Sequence, residues 1–213
     1  MDALTGLFNH RYFQEKWREE IKRSERFGEP TSLMLLDVDW FKNYNDCQGH
    51  PRGDVVLRDL ASLLERNFRE VDVVARYGGE EFAVILPRTA KDAGVQLADR
   101  IREIVEEAPF PHQEVQPGGT ITCSFGLATF PDDGATAATV LEHADQALYA
   151  AKSEGRNRVV AYEPGLPMPM PDSPLVTSDE LAAPSFDEPS SSTLHDLPST
   201  AIDMIDLESR DDD

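Results

Sequence analysis

The sequence predicts an α+β domain over residues 1–162: a central, largely antiparallel or mixed sheet of about five strands, flanked by helices. Three observations carry this. Segments of helical period alternate with short apolar runs in the order helix, strand, helix, hairpin, helix, strand, helix, strand. The run from Asp72 to Pro87 reads as a β-hairpin, with Val71–Tyr77 and Phe82–Leu86 flanking Gly78-Gly79 and a positive φ expected at the glycines of an exposed tip. Composition then changes after Tyr162, where 13 of the 40 acidic residues, 1 of the 20 basic ones, 8 of the 15 prolines and one aromatic residue, Phe186, lie.

That change splits the 213-residue chain into one domain and a tail. Residues 1–162 carry 27 acidic against 19 basic side chains, and residues 163–213 carry 13 against 1, so the net charge of −20 divides as −8 and −12. The acidic, Pro/Ser-rich tail cannot bury enough apolar surface to offset its ordering entropy and reads as disordered. An acidic balance excludes general binding of nucleic-acid backbones, which needs basic surface, yet permits small phosphate ligands held by a few local cations. No apolar run approaches the ~18 residues of a membrane span, and no signal peptide is visible. Cys47 and Cys123 have no metal-ligand spacing and suit a reducing compartment, so the chain reads as cytoplasmic.

The elements follow in order. Asp2 to Leu7 is a turn-rich lead-in ending near Asn9, an N-cap for an amphipathic helix from Arg11 to Phe27 that shows Phe13, Trp17 and Ile21 on one face and stops at Gly28 and Pro30. Ser32–Val38 is a buried strand ending in Asp37-Val38-Asp39, and Trp40 to Asp46 is a short helical turn with Asp39 as its expected N-cap. His50–Phe68 is a longer helix, and the hairpin follows. Thr89 opens a helix that runs to Glu107, with Pro109 and Pro111 marking its end. Gly118-Gly119 turns the chain into a strand from Thr120 to Thr129. Thr136–Ser153 is a long helix with Gly155 just past its end, and Arg158–Tyr162 is a last short strand.

Glu80 and Glu81 follow the hairpin turn directly, where two like charges suit a strand poorly, so a cation is expected to meet them. Asp37 and Asp39 sit at another strand end, and neighbouring strands bring the two acidic pairs together. Converging carboxylates at a sheet rim suit Mg²⁺, a hard ion content with one or two carboxylates plus phosphate oxygens and water. Metal ions so held favour in-line displacement at phosphorus, which points to nucleotidyl or phosphoryl transfer. Lys42, Lys152 and Arg156 are cations fit for a triphosphate. In isolation Lys152 and Arg156 read rather as solvated helix-end residues favoured by the macrodipole. Asn45 and Asp54 together can read a guanine edge; singly, each is a turn or cap residue.

Taken together, Asp2-Ala3-Leu4-Thr5-Gly6-Leu7, Asp37-Val38-Asp39-Trp40-Phe41-Lys42 through Asn45-Asp46, Gly49 to Asp54, Arg76 to Phe82, and Ala144-Asp145 through Arg156-Asn157 resemble a GGDEF domain of the GGEEF variety. The resemblance spans positions 2 to about 162, with every signature block in order. It implies a fold akin to nucleotide cyclases and polymerase palms, and the activity of a diguanylate cyclase, which joins two GTP into cyclic di-GMP with release of two pyrophosphates. It implies Mg²⁺, with Mn²⁺ as an alternative, held by Asp37, the carbonyl of Val38 and Glu80. Glu80 is also the candidate acceptor for the proton of the attacking 3′-hydroxyl, with Glu81 beside it. Lys42 is implied to stabilise phosphate charge, Lys152 and Arg156 to clamp the β- and γ-phosphates, Asn45 and Asp54 to read guanine, and His50 to lie near the ribose. Gly78 and Gly79 are implied to let the triphosphate approach the backbone.

The resemblance further implies that two domains face each other as a homodimer, because each holds one GTP. It also implies a product-binding inhibitory site at Arg69-Glu70-Val71-Asp72, with Arg100 as its accessory arginine; a bare Arg-x-x-Asp reads otherwise as a local ion pair. The chain opens at its first motif residue, without the helical linker or sensor domain that usually pairs such domains, so pairing is expected from a longer protein or through bound product. Two other readings are a catalytically silent cyclic di-GMP receptor, against which Glu80 and Glu81 count, and an interaction module acting through the Ala201–Leu207 segment of the tail.

Overall fold

The computed structural model describes residues 1–167. The tail beyond Pro167, with its expected disorder and its Ala201–Leu207 segment, lies outside the described residues.

Helix α1, His10–Phe27, starts where Asn9 Oδ1 accepts the Tyr12 N–H at 3.0 Å, and it ends at Gly28, whose φ of +67° only glycine adopts easily. Strand β1, Thr31–Val38, is buried along its whole length. Helices α2, Phe41–Gln48, and α3, His50–Asn67, follow. The hairpin is formed by β2, Val73–Arg76, and β3, Glu81–Pro87. Next come α4, Lys91–Glu107, a short 3₁₀ turn at Gln113–Val115, β4, Cys123–Phe130, α5, Ala137–Ser153, and β5, Val159–Ala161.

The five strands lie in the order β2-β3-β1-β4-β5, antiparallel except for the β4–β5 pair, which is parallel. Alternation along β1 sends Leu33 and Leu35 to the face packed by Phe13, Trp17, Val140 and Leu148 of α1 and α5. Met34, Leu36 and Val38 face Val56, Leu60, Ala98 and Ile101 of α3 and α4. The same alternation fixes the sides of the strand-end residues: Asp37 lies on the α5 side and Val38 on the other. α5 approaches β4 closely at Gly126, where a side-chain carbon would fall against the Leu148 and Ala144 backbones, 2.7 Å from Leu148 Cα.

Four local expectations are corrected. Asp39 does not cap α2; Trp40 takes the N-cap place with no side-chain bond, because the Asp39 carboxylate is engaged elsewhere. Thr89 does not open α4, which begins after Ala90; its hydroxyl instead donates to Pro87 O and accepts from Arg69 Nη2. Neither Gly78 nor Gly79 has positive φ. The hairpin loop is closed by Tyr77 and Gly78 N–H groups both donating to Glu81 O, at 2.8 and 3.2 Å, a turn that does not require the left-handed region. β2 also begins later than expected, leaving Val71 exposed.

Candidate functional site

Asp37, at the end of β1, stands opposite Glu81 of β3 on one side and Ser124 of β4 on the other. The next backbone N–H, that of Val38, donates to Glu80 O at 3.3 Å, so the signature loop is tied to the strand end and Asp37, Val38 and Glu80 become contiguous. The cation expected at Glu80 and Glu81 stands instead on Asp37: Lys152, in the last turn of α5, has its Nζ 2.8 Å from Asp37 Oδ2. Gly78 has a steric role here: a side-chain carbon would sit 3.4 Å from Glu81 Cδ and closer still to its carboxylate oxygen. At Gly79 the same test meets open space. Arg76 holds the tip, donating from Nε and Nη2 to Gly79 O at 3.1 and 2.7 Å while its Nη1 reaches Asp2 Oδ1 at 3.2 Å. Asp2 in turn accepts from Thr5 N and Oγ1, so the N-terminal turn braces the hairpin.

Crowding of acids at this rim has an electrostatic cost. Burial, then the nearby Glu80 and Asp39 charges, push Asp37 up to about 6, and Lys152 offsets only part of this. Burial, then Asp37, push Glu81 up to about 7. Both carboxyls keep protons in the folded chain at pH values where the unfolded chain, with ordinary values of 3.8 and 4.5, has lost them. Folding is therefore proton-binding between about pH 4 and 7, and without divalent ions the contribution of these groups to stability falls as pH rises through that window. Thermal melts in chelator from pH 5 to 8 should show that fall, and Mg²⁺ should recover stability near pH 8 but have little effect at pH 5. A chelated protein whose melting temperature rises steadily from pH 5 to 7, with no added gain from Mg²⁺ at pH 8, contradicts this.

Among the described residues no three His, Cys, Asp or Glu side chains form a ready-made metal cluster. The residues that could hold a cation here are Asp37 and Glu80, with the Val38 carbonyl, a hard-oxygen set that would leave positions for phosphate oxygens and water.

The nucleotide-reading candidates lie on α2 and α3. Lys42 is exposed in the first turn of α2 and makes no hydrogen bond or ion pair with the described residues; His50 is exposed at the start of α3, and Asp54 is half-buried one turn on. Asn45 packs on Gly53, where a side-chain carbon would sit 3.0 Å from Asn45 Cγ and 3.1 Å from Phe41 Cζ, and its Oδ1 is buried without a hydrogen-bond partner. Gly53 therefore seats Asn45 beside Asp54. Gly53→Ala should displace that amide and raise the KM for a guanine nucleotide about tenfold, the scale of one lost hydrogen bond, with kcat little changed. An unaltered KM in steady-state kinetics would remove Asn45 from the recognition set.

Asp39 is the residue whose task the sequence concealed. It is 2% exposed and accepts from Thr122 Oγ1 at 2.8 Å, Ser124 Oγ at 2.6 Å and Asn157 N at 3.0 Å, so it anchors the turn after α5 to the rim. Gly155, with φ +118°, lets that turn reverse, and Arg156 N donates back to Ala151 O at 3.0 Å.

A second cluster lies at the far end of the hairpin. Arg69 Nη2 is 2.7 Å from Asp72 Oδ1, Asp72 is fully buried at its side chain, and Arg69 N also donates to Asp72 Oδ2 at 2.9 Å. Both residues line an open pocket of ≈ 790 Å³ with Arg100, which bonds Asn67 O at 3.2 Å. Arg88, unremarked in the sequence, adds a further guanidinium to that wall from a left-handed φ of +52°. The local ion pair and the pocket thus coexist.

A family described as "Diguanylate cyclase, GGDEF domain" matches residues 1–158. The chain is 42% identical over 159 residues to the response regulator PleD of Caulobacter vibrioides, covering 75% of this chain and 35% of that protein. It is 45% identical over 158 residues to the diguanylate cyclase DgcP of Pseudomonas aeruginosa, covering 74% of this chain and 23% of that protein. The chain thus spans about a third or less of these two relatives. Among solved structures, the GGDEF domain of DgcB from Caulobacter crescentus in complex with c-di-GMP superposes with a TM-score of 0.70 at 38% identity, covering 76% of this chain and 94% of that one.

Proposed function

The chain belongs to the GGDEF family of diguanylate cyclase domains, and from that premise we propose that it condenses two GTP into cyclic di-GMP with release of two pyrophosphates. The observation that carries the reading is the rim itself: Asp37 and Glu81 in register, Glu80 O bonded to Val38 N, and Lys152 as counter-cation.

On this reading Mg²⁺ is the ion, with Mn²⁺ able to replace it, and Asp37, Val38 O and Glu80 hold it. When bound, it supplies positive charge to the phosphate oxygens and lowers the cost of charge that builds during displacement. The chain's own residues do the rest. Glu80 takes the proton of the attacking 3′-hydroxyl, Lys42, Lys152 and Arg156 bear on the triphosphate, and Asn45 and Asp54 bind the guanine edge with His50 near the ribose. Lys152 is paired with Asp37; a cation held by that carboxylate would compete for it and leave the ammonium available to phosphate. Glu81 O accepts the Gly78 N–H, and burial and then the Asp37 charge raise its carboxyl to about 7.

One domain presents one nucleotide, so turnover requires a second copy facing it, and catalysis is chiefly by positioning and electrostatic stabilisation. No helix of the described residues is long and apolar enough to cross a membrane. The test is incubation with GTP and Mg²⁺ followed by chromatography and mass analysis; cyclic di-GMP and two pyrophosphates per product are expected.

The Arg69, Asp72 and Arg100 pocket is read as the product-binding inhibitory site. A guanidinium can stack on and bond a guanine while a carboxylate takes its Watson–Crick edge. Arg69→Ala should raise the cyclic di-GMP concentration for half-inhibition about tenfold or more and leave uninhibited turnover intact; an unchanged inhibition curve would reassign Arg69 to a local ion pair.

A further inference from the structure

The Arg156 guanidinium carbon lies 3.9 Å from the centroid of the Trp40 indole. Both residues occupy the left-handed backbone region, Trp40 at φ 57° and Arg156 at φ 65°, with Asn157 at φ 46° beside them. Such values disfavour non-glycine residues and persist where the surroundings hold them, typically at ligand sites. Both turns are held by hydrogen bonds, and Asp39, next to Trp40, ties one to the other. The Trp40 carbonyl accepts from Tyr44 N at 3.1 Å and Gln116 Nε2 at 3.4 Å, while Asn157 N is fixed to Asp39 and Arg156 N to Ala151 O. Two segments more than a hundred residues apart are thus pinned so that one aromatic face meets one cation.

Two further features separate this pair from ordinary surface packing. Trp40 is 47% exposed, one of few large apolar residues left in water among the described residues, so its indole is not there to fill the core. The Arg156 guanidinium makes no hydrogen bond or ion pair with the described residues, although the chain is strongly acidic and the group has five N–H donors. A flat cation seated on an indole face, with its donors unspent, is prepared for an anion.

We propose that Trp40 is a positioning residue for Arg156: its indole pre-orders the guanidinium for the outer phosphates of a bound nucleoside triphosphate. The inference rests on the reading of Arg156 as a phosphate-clamping residue and adds the group that holds it. Arginine loses substantial rotamer freedom when it binds a phosphate, and a preformed stack meets part of that loss in advance.

The test measures binding of a non-reactive α,β-methylene GTP analogue and of GMP, by calorimetry with Mg²⁺, to the wild type, Trp40→Ala, Trp40→Phe, Arg156→Ala and the Trp40→Ala/Arg156→Ala pair. Trp40→Ala should weaken the triphosphate about threefold to tenfold, the scale of a partly exposed cation–π contact, with GMP unchanged. Trp40→Phe should recover most of the loss, and Trp40→Ala should have no further effect once Arg156 is absent. Equal weakening of both ligands, or a loss that adds fully to that of Arg156→Ala, overturns the inference. If Arg156→Ala removes the preference for triphosphate and Trp40→Ala does not, the inference falls while the clamp stands. If the wild type binds the analogue no better than GMP, both fall.

Discussion

Glu80→Ala is expected to lower cyclic di-GMP formation about 10³-fold or more, because the proposed function gives one side chain two tasks, holding the metal and taking the proton of the attacking hydroxyl. Loss of a positioned general base alone typically costs about 10²–10⁴-fold, and loss of a metal ligand compounds it. The same substitution should not weaken the fold. Glu80 is among the charges that push Asp37 and Glu81 upward, so removing it relieves repulsion, and the variant should melt at the same temperature as the wild type or higher above about pH 6. Activity lost with stability kept marks a group retained for chemistry; activity lost together with the fold would assign Glu80 to structure.

The largest stability effect is expected at Gly126. Its Cα faces the backbone of α5, where an added carbon would meet Leu148 N, Ala144 O and, at 2.7 Å, Leu148 Cα. Side-chain ends can swing aside, but here the obstacles are all main chain, so the helix itself must move. Overpacking costs typically about 1–3 kcal/mol, and a rigid obstacle places Gly126→Ala at or above the top of that range. A loss of ~3 kcal/mol corresponds to a fall in Tm of about 6–12 °C for a chain of this size. Gly126→Val should not fold stably. Because α5 also carries Lys152 and leads to Arg156, residual Gly126→Ala protein should bind GTP poorly. Gly79→Ala is the control: its added carbon meets open space at an ordinary φ, and its Tm should shift by no more than about 1 °C. A Gly126→Ala melt within that same margin would show that α5 has slack not evident in its packing.

Elements with local signals were legible in the sequence. Asn9 and Thr136 each cap the helix that follows, Gly28 and Gly155 take left-handed conformations at helix ends, and the apolar stripes of α1 and α5 are buried as their spacing requires. The acidic strand ends do converge, but the cation that stands there, Lys152, pairs with Asp37 rather than with Glu80 or Glu81. What the sequence hid depends on partners far along the chain. Asp39 looks like a helix cap because a carboxylate before a turn usually is one, yet its acceptors are used by Thr122, Ser124 and Asn157, 83 to 118 residues away. Thr89 was lost to Arg69 for the same reason, 20 residues back.

The glycines teach a related point. Gly78-Gly79 invited a reading by φ, whereas the structure uses Gly78 for space beside Glu81. Gly53 and Gly126 likewise serve close approach, to Asn45 and to α5. A lone glycine inside a strand, as at Gly126, is itself a signal for such an approach. No comparable sign marks Gly53, whose neighbour is set by how α2 folds back on α3. Arg88 entered the second pocket through an unusual backbone value for a long cationic side chain, which no periodicity encodes.

The central claim is that acids from β1 and the signature hairpin, with Lys152, prepare a guanine nucleotide for attack by a nucleotide on a second copy. Its most direct measurement is the rate of cyclic di-GMP formation from GTP and Mg²⁺ as protein concentration rises, with Glu80→Ala alongside and one sample dimerised through a fused coiled coil. The account predicts a rate per chain that climbs with concentration, is highest in the fused dimer, and is absent in the variant. Equal and negligible product from wild type and variant, in the fused dimer as well, would contradict it.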